Sequence, residues 1–197
     1  MITRKIFTAL TAAMLLGSAL SVQAQSDQPI KFLVGFPPGG STDTMARLLA
    51  DKMSTVLKHT IIVENKPGAG GRIAAQALKG AASDGLTYMI APNATPVFQT
   101  LLYPTAVLRY DMLTDFTPVG MIASYPLVLA VKAQAGLKTA KDYVAWVKAN
   151  PNHTTFGSAG AGGHTHFTGV QLGTTIGTSL QVVPYRGNGP LVSDLLG

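Results

Sequence analysis

The chain has no cysteine in its 197 residues and a single tryptophan, Trp146. Disulfides, thiol chemistry and cysteine-held metals are thereby excluded, and the fold must rest on its own core. Clusters of charge are missing too. Beyond the N-terminus the basic residues are scattered from Lys31 to Arg186, which argues against a nucleic-acid surface. No loop ends in Gly-Lys-Ser/Thr, so the lysine and magnesium ligand of a triphosphate site are absent. Gly160-Ala161-Gly162-Gly163-His164-Thr165 only approximates a dinucleotide fingerprint, because its third glycine and the acidic residue that should follow are both lacking. A nucleophile elbow is not formed either: Phe156 stands two residues before Ser158, and Asp43 two residues after Ser41, where glycine is needed. His164 and His166 are two apart, cannot share one helix face and have no evident third ligand. They read as one surface and one half-buried histidine, and no metal or cofactor is expected.

What is present begins with Arg4 and Lys5, an uncharged apolar stretch from Ile6 to Leu20, and Ser21-Val22-Gln23-Ala24 with small residues at cleavage positions. This reads as a secretory signal peptide over 1–24, cut after Ala24. The apolar stretch is shorter than the roughly 20 residues of a spanning helix. Removing it takes two of fifteen basic residues and none of nine acidic ones, leaving thirteen against nine. That mild positive excess favours the arrival of a carboxylate. The chain stops at Leu195-Leu196-Gly197 directly after an apolar helical pattern, and reads as a fragment.

Twice an apolar run ends in a glycine-rich, hydroxyl-bearing loop and restarts as a helix. The first run is Ile30 to Phe36, followed by Pro37-Pro38-Gly39-Gly40-Ser41-Thr42-Asp43 and a helix with Met45, Leu48, Leu49, Met53, Val56 and Leu57 at helical spacing. Ser41 or Thr42 is the expected N-cap, with Asp43 at the positive end of the helix dipole. The second run is Thr154 to Phe156, followed by Gly157-Ser158-Ala159-Gly160-Ala161-Gly162-Gly163 and a helix from His164 to about Ile176. Further strands are expected at Thr60–Val63, Leu86–Ala91 and Leu180–Pro184, and further helices up to Gly80, from Thr139 to Asn150 and from Gly189. Alternating strands and helices predict an α/β protein with parallel sheets, in two lobes over 25–123 and 124–197, the second unfinished. Each glycine loop leaves backbone N–H groups pointing at one spot, which suits an anion. The candidate ligand residues are therefore Pro38, Gly39, Gly40, Ser41, Thr42 and Asp43 on one side, and Ser158, Ala159, Gly160, Gly163 and Thr165 on the other. Tyr185, beside Arg186-Gly187-Asn188 after a strand, is placed to line the cleft. Asp43 would repel a carboxylate if it pointed inward, so it should hydrogen-bond the loop instead.

Several segments carry a resemblance. Phe36-Pro37-Pro38-Gly39-Gly40-Ser41-Thr42-Asp43, Val63-Glu64-Asn65-Lys66-Pro67-Gly68-Ala69-Gly70-Gly71, Asp115-Phe116-Thr117-Pro118-Val119, Gly157-Ser158-Ala159-Gly160 and Val183-Pro184-Tyr185-Arg186-Gly187 occur in that order. In these the chain resembles the tripartite tricarboxylate transporter substrate-binding proteins, the Bug family of bacterial extracytoplasmic solute receptors. The resemblance implies a type II periplasmic-binding-protein-like fold, with two α/β lobes joined by crossing strands. It also implies a non-enzymatic, monomeric periplasmic receptor that closes on a small carboxylate and delivers it to the permease subunits of a membrane transporter. The family's ligand loops map onto Pro38 to Asp43 and Ser158 to Thr165. Where members often carry a polar side chain and a hydroxyl in the second loop, this chain has Ala161, Gly162 and Gly163, leaving backbone N–H groups, Ser158 and Thr165. The alternatives are an exported carboxylate sensor that signals through a membrane kinase, and an exported hydrolase.

Overall fold

The computed structural model describes residues 28–197; the expected signal peptide lies outside them. Among the described residues no helix is long and apolar enough to cross a membrane. The described residues hold five strands in two separate parallel sheets.

The first sheet holds β1 (Ile30–Val34), β2 (Ile61–Asn65) and β3 (Thr87–Ile90) in the order β2-β1-β3. Central β1 pairs in parallel with both neighbours, Phe32 lying opposite Val63 on one side and Tyr88 on the other. A parallel sheet must be covered on both faces, and β1 accordingly buries consecutive residues rather than alternate ones. Phe32, Val34 and Ile90 pack beneath α1 (Ser41–Leu57), which presents Ala46 and Ala50 to them. Met89 on the opposite face packs with Ala75 of α2 (Arg72–Lys79) and with Leu108 and Tyr110. Beyond β3 the chain makes a single π-helical turn, Ala94–Phe98, continuous with α3 (Gln99–Leu102), and then α4 (Thr105–Leu108).

Residues 116–132 have no helix, turn, bend or strand pairing, so the apolar runs Val119–Ile122 and Pro126–Val131 cross between the lobes as unpaired chain. Val119, Met121 and Val128 are more than four-fifths exposed.

The second lobe opens with α5 (Ala140–Ala149), started by a full capping box in which Thr139 and Asp142 satisfy each other's backbone N–H groups. β4 (Thr155–Ser158), α6 (His164–Ile176) and β5 (Gln181–Pro184) follow as a parallel β-α-β unit, with Phe156 opposite Val182. Tyr143, Val147 and Leu180 form its core with Phe156, Leu172 and Ile176 around them. The last helix is α7 (Asn188–Leu196). The lobes share a plan: strand, glycine loop, helix, parallel strand, glycine turn, helix.

One of these turns demands glycine on both sides. Gly71 has φ of 91°, and a Cβ on Gly35 would lie 2.5 Å from its Cα. The bare backbone at Gly35 lets the β1 and β2 loops pass this close, while Gly71 is held to glycine by its φ and by Thr95 Oγ1, which its Cβ would strike.

Candidate functional site

The carboxyl ends of all five strands meet at one place. Chain following β1 (Phe36, Pro37, Gly40 to Thr42), β2 (Gly70), β3 (Pro92, Ala94), β4 (Ala159 to Ala161, Gly163 to Thr165) and β5 (Gly187 to Pro190) lines a cavity of about 40 Å³. Gln99 and Tyr125 complete the wall. Open α/β sheets bind ligands at this edge. A water-sized group takes roughly 10–15 Å³ by the same measure, so the space matches a carboxylate group and little more.

Three helices begin on this cavity, and none has a side-chain cap. The N-cap residues of α1, α6 and α7 are Gly40, Gly163 and Gly187, each without a capping hydrogen bond. The expected capping by Ser41 or Thr42 is not what forms: the helix starts one residue earlier, on a glycine that has no side chain to offer. α2, α3 and α4 lack side-chain caps too, and among the described helices only α5, remote from the cavity, has one. What sets the three apart is where they start. A helix whose first-turn N–H groups are left open presents both hydrogen-bond donors and the positive end of its dipole to whatever lies in front of it. No lysine, arginine, aspartate or glutamate lines the cavity, and its titratable residues are Tyr125 and His164.

Asp43 is held away from this space. Its carboxylate accepts hydrogen bonds from the Gly39 amide (2.9 Å), Arg47 Nε (3.0 Å) and Asn65 Nδ2 (2.8 Å). Asn65 Nδ2 also donates to the Phe36 carbonyl (3.0 Å), and Arg47 Nη2 to Asn65 Oδ1 (2.9 Å). Burial is the largest single influence and opposes ionisation, but the bonds from Arg47, Gly39 and Asn65 together outweigh it and hold the carboxyl below its usual range. The Val63–Gly71 signature thus includes a residue, Asn65, that fastens the loop after β1.

In the second loop the hydroxyls are spent locally. Ser158 is fully buried; its Oγ donates to the Gly160 carbonyl (2.9 Å) and lies 3.0 Å from Thr165 Oγ1, which also accepts from the Ala159 amide (3.2 Å). These bonds shape the loop and turn the α6 N-terminus inward. The His166 ring accepts from the Gly162 amide at 3.0 Å.

Of the residues proposed from sequence, Gly40, Ser41, Thr42, Ala159, Gly160, Gly163 and Thr165 are brought together on the cavity. Pro38, Gly39, Asp43 and Ser158 stand behind it, in or beside the loops that make it. Tyr185 is turned elsewhere, its hydroxyl donating to the Asp194 carboxylate. Outside the loops Pro38–Asp43 and Ser158–Thr165, sequence reading missed Phe36, Pro37, Gly70, Pro92, Ala94, Gln99, Tyr125 and the Gly187–Pro190 turn. The third helix start had a signal, Gly187-Asn188-Gly189 after a strand, of the same kind as the other two.

The two lobes touch across the cavity. Asn188 Nδ2 donates to Ser41 Oγ at 2.9 Å, buried Gln99 reaches the Gly162 carbonyl at 3.5 Å, and the Phe98 and Phe167 rings lie 5.2 Å apart. Tyr125 Oη lies 3.5 Å from His164 Nε2, with the rings edge to face at 6.0 Å. His164 Nδ1 is buried without a partner, and burial pushes the imidazole pKa down.

Comparison with known proteins decides the family. Residues 45–197 match the model of the TctC family, the tripartite tricarboxylate transporter family receptor. The chain belongs to this family. A similar protein in Cupriavidus necator, the UPF0065 protein in the gbd 5' region, is 40% identical over all of this chain and 60% of its own length. Protein BugT of Bordetella pertussis is 34% identical over 92% of this chain and 56% of its own. An R. palustris protein solved with adipate matches with TM-score 0.82 and 30% identity, over 87% of this chain and 56% of that one. The periplasmic binding protein BugD matches with TM-score 0.73 and 31% identity, over 87% and 56%. The type II binding-protein architecture expected from sequence is the one found, and these neighbours are solute-binding proteins, not enzymes. This TctC-family chain spans a little over half the length of the relatives it matches.

Proposed function

We propose that this TctC-family chain is the solute-capturing part of a periplasmic receptor for a small carboxylate, which it hands to a tripartite tricarboxylate-type membrane transporter. The observation that carries the reading is the convergence of three glycine-started, uncapped helices on a cavity without a charged lysine, arginine, aspartate or glutamate. The carboxylate sits between Gly40–Thr42 and the loop Ala159–Thr165, with the Gly187–Gly189 turn as third donor. Each charge-assisted bond contributes about 1.5–3 kcal/mol, and three or four, discounted for ordering the ligand and closing the lobes, reach the roughly −8 kcal/mol of micromolar binding. Two relatives from Rhodopseudomonas palustris, solved with adipate and with malate, support a dicarboxylate-sized ligand. The cavity takes one carboxylate end, so the rest of such a molecule extends towards Tyr125 and His164.

Titration calorimetry with adipate, malate and a neutral diamide of adipate tests this. The acids should bind at micromolar concentration and the diamide should not. Equal binding of acid and diamide, or none of either by the folded protein, would remove the reading.

A further inference from the structure

Gln99 is the most deeply buried polar side chain on the wall of the cavity, 2% exposed. Its amide lies between two glycines, one from each lobe. A Cβ on Gly70 would stand 2.7 Å from Gln99 Nε2 and 3.0 Å from its Cδ, one on Gly162 would stand 3.4 Å from Nε2, and both glycines have φ of 67°. Bare backbone on either side makes room for the flat amide. Nε2 faces the Gly162 carbonyl at 3.5 Å. That contact sets the orientation of the amide, because turned over it would bring two carbonyl oxygens together. Oε1 is then the free end, and among the described residues it accepts no hydrogen bond. Elsewhere on the wall Ser41 Oγ accepts from Asn188, Thr165 Oγ1 is shared by Ser158 and the Ala159 amide, and Tyr125 meets His164.

A carboxylate offers only acceptors, so it cannot satisfy a carbonyl oxygen. At roughly 10–15 Å³ for each water-sized group, a cavity of about 40 Å³ has room for two carboxylate oxygens and one group more. That further group must be a donor if Oε1 is to be satisfied, and the adjoining carbon is the place that brings it closest. An ammonium there would face three positive helix ends, with no acidic side chain among the described wall residues to balance it. A neutral hydroxyl carries no such penalty.

We propose that Gln99 is a specificity-determining residue: its Oε1 accepts a hydrogen bond from a hydroxyl on the carbon next to the bound carboxylate, so the preferred ligand is a 2-hydroxy acid. The proposal rests on the carboxylate reading and names the substrate class within it.

Titration calorimetry with succinate, malate and aspartate, three four-carbon diacids that differ at one carbon, tests it. Malate should bind about tenfold tighter than succinate or better, since succinate leaves Oε1 unmatched, and aspartate should bind no tighter than succinate. Gln99→Met keeps the length of the side chain and removes the acceptor, so the ratio of malate to succinate affinity should fall to about one. A loss shared equally by the two acids, with their ratio unchanged, would make Gln99 a packing residue and overturn the proposal. Aspartate as the tightest of the three would overturn it too, by making the donor an ammonium. If Gln99→Met does not fold, the three affinities of the unsubstituted protein decide by themselves. Equal binding of malate and succinate by that protein removes this proposal alone, whereas failure of all three acids to bind it when folded removes the carboxylate reading as well.

Discussion

Asp43 brings a negative charge to within a few residues of the proposed carboxylate cavity, and the structure shows how its charge is occupied. Three groups from Gly39, Arg47 and Asn65 saturate the carboxylate and in doing so pin the loop after β1. Asp43→Ala leaves the Gly39 amide without its acceptor and takes one of the two acceptors from Asn65 Nδ2, and should lower unfolding free energy by about 1–2 kcal/mol in a denaturant titration. Because the folded-state pKa lies below the usual 3.8, this contribution is full above that value and is lost as pH falls through the folded pKa. The acid limb of a stability profile should therefore flatten in the variant. His164 behaves oppositely towards ligand. Burial keeps its imidazole neutral near pH 7, but an anion beside it favours the proton, so acid affinity should rise between pH 7 and pH 5.5 for an acid that stays ionised. Calorimetry on His164→Phe, which cannot titrate, should show that rise abolished.

At the scale of elements, the glycine starts of α1, α6 and α7 set stability against function. Gly163 has ordinary extended backbone, and a Cβ there makes only van der Waals contact with Ala94 at 3.5 Å. Gly163→Asp would cap α6 as Thr139 caps α5, changing stability by no more than a few tenths of a kcal/mol. The same carboxylate would occupy the open amides and repel a bound acid. Thermal unfolding should be nearly unchanged, while acid affinity falls by more than about tenfold.

The elements themselves were largely legible, because apolar runs bounded by glycine turns mark parallel strands and their crossover helices. β1, α1, β4, α6, β5 and α7 fall within a residue or two of expectation. The inward face of α1 was not legible. Leu48, Val56 and Leu57 follow helical spacing yet are 61%, 79% and 51% exposed, while Thr42, Asp43, Ala46 and Ala50 are buried. Small alanines let the helix approach the sheet, and Asp43 is buried only because Arg47 and Asn65 accompany it, which no periodicity records. For the site, the glycine loops were readable from their residues. Gln99 and Tyr125 were not, since they reach the cavity from distant positions through tertiary packing. Nor did spacing reveal that Ser158 and Thr165 would spend their hydroxyls on each other.

Across the whole molecule, the lobes have separate cores and meet through a handful of side chains around the cavity. With so little joining them, differential scanning calorimetry of the unliganded protein should resolve two transitions. Saturating acid, bound only when both lobes are folded, should draw them together and upward by mass action, about 2.7 kcal/mol at a hundredfold excess over Kd. A single transition with and without acid would contradict independent lobes.

The bond from Asn188 to Ser41 joins residues 147 positions apart with one neutral amide and one hydroxyl. A latch of that kind contributes about 1 kcal/mol, roughly a fivefold bias towards the shut form. An empty receptor would then stand ajar for a good part of the time, ready to admit cargo. On the proposed carboxylate reading, most of the force holding the two lobes together would come from the bound acid.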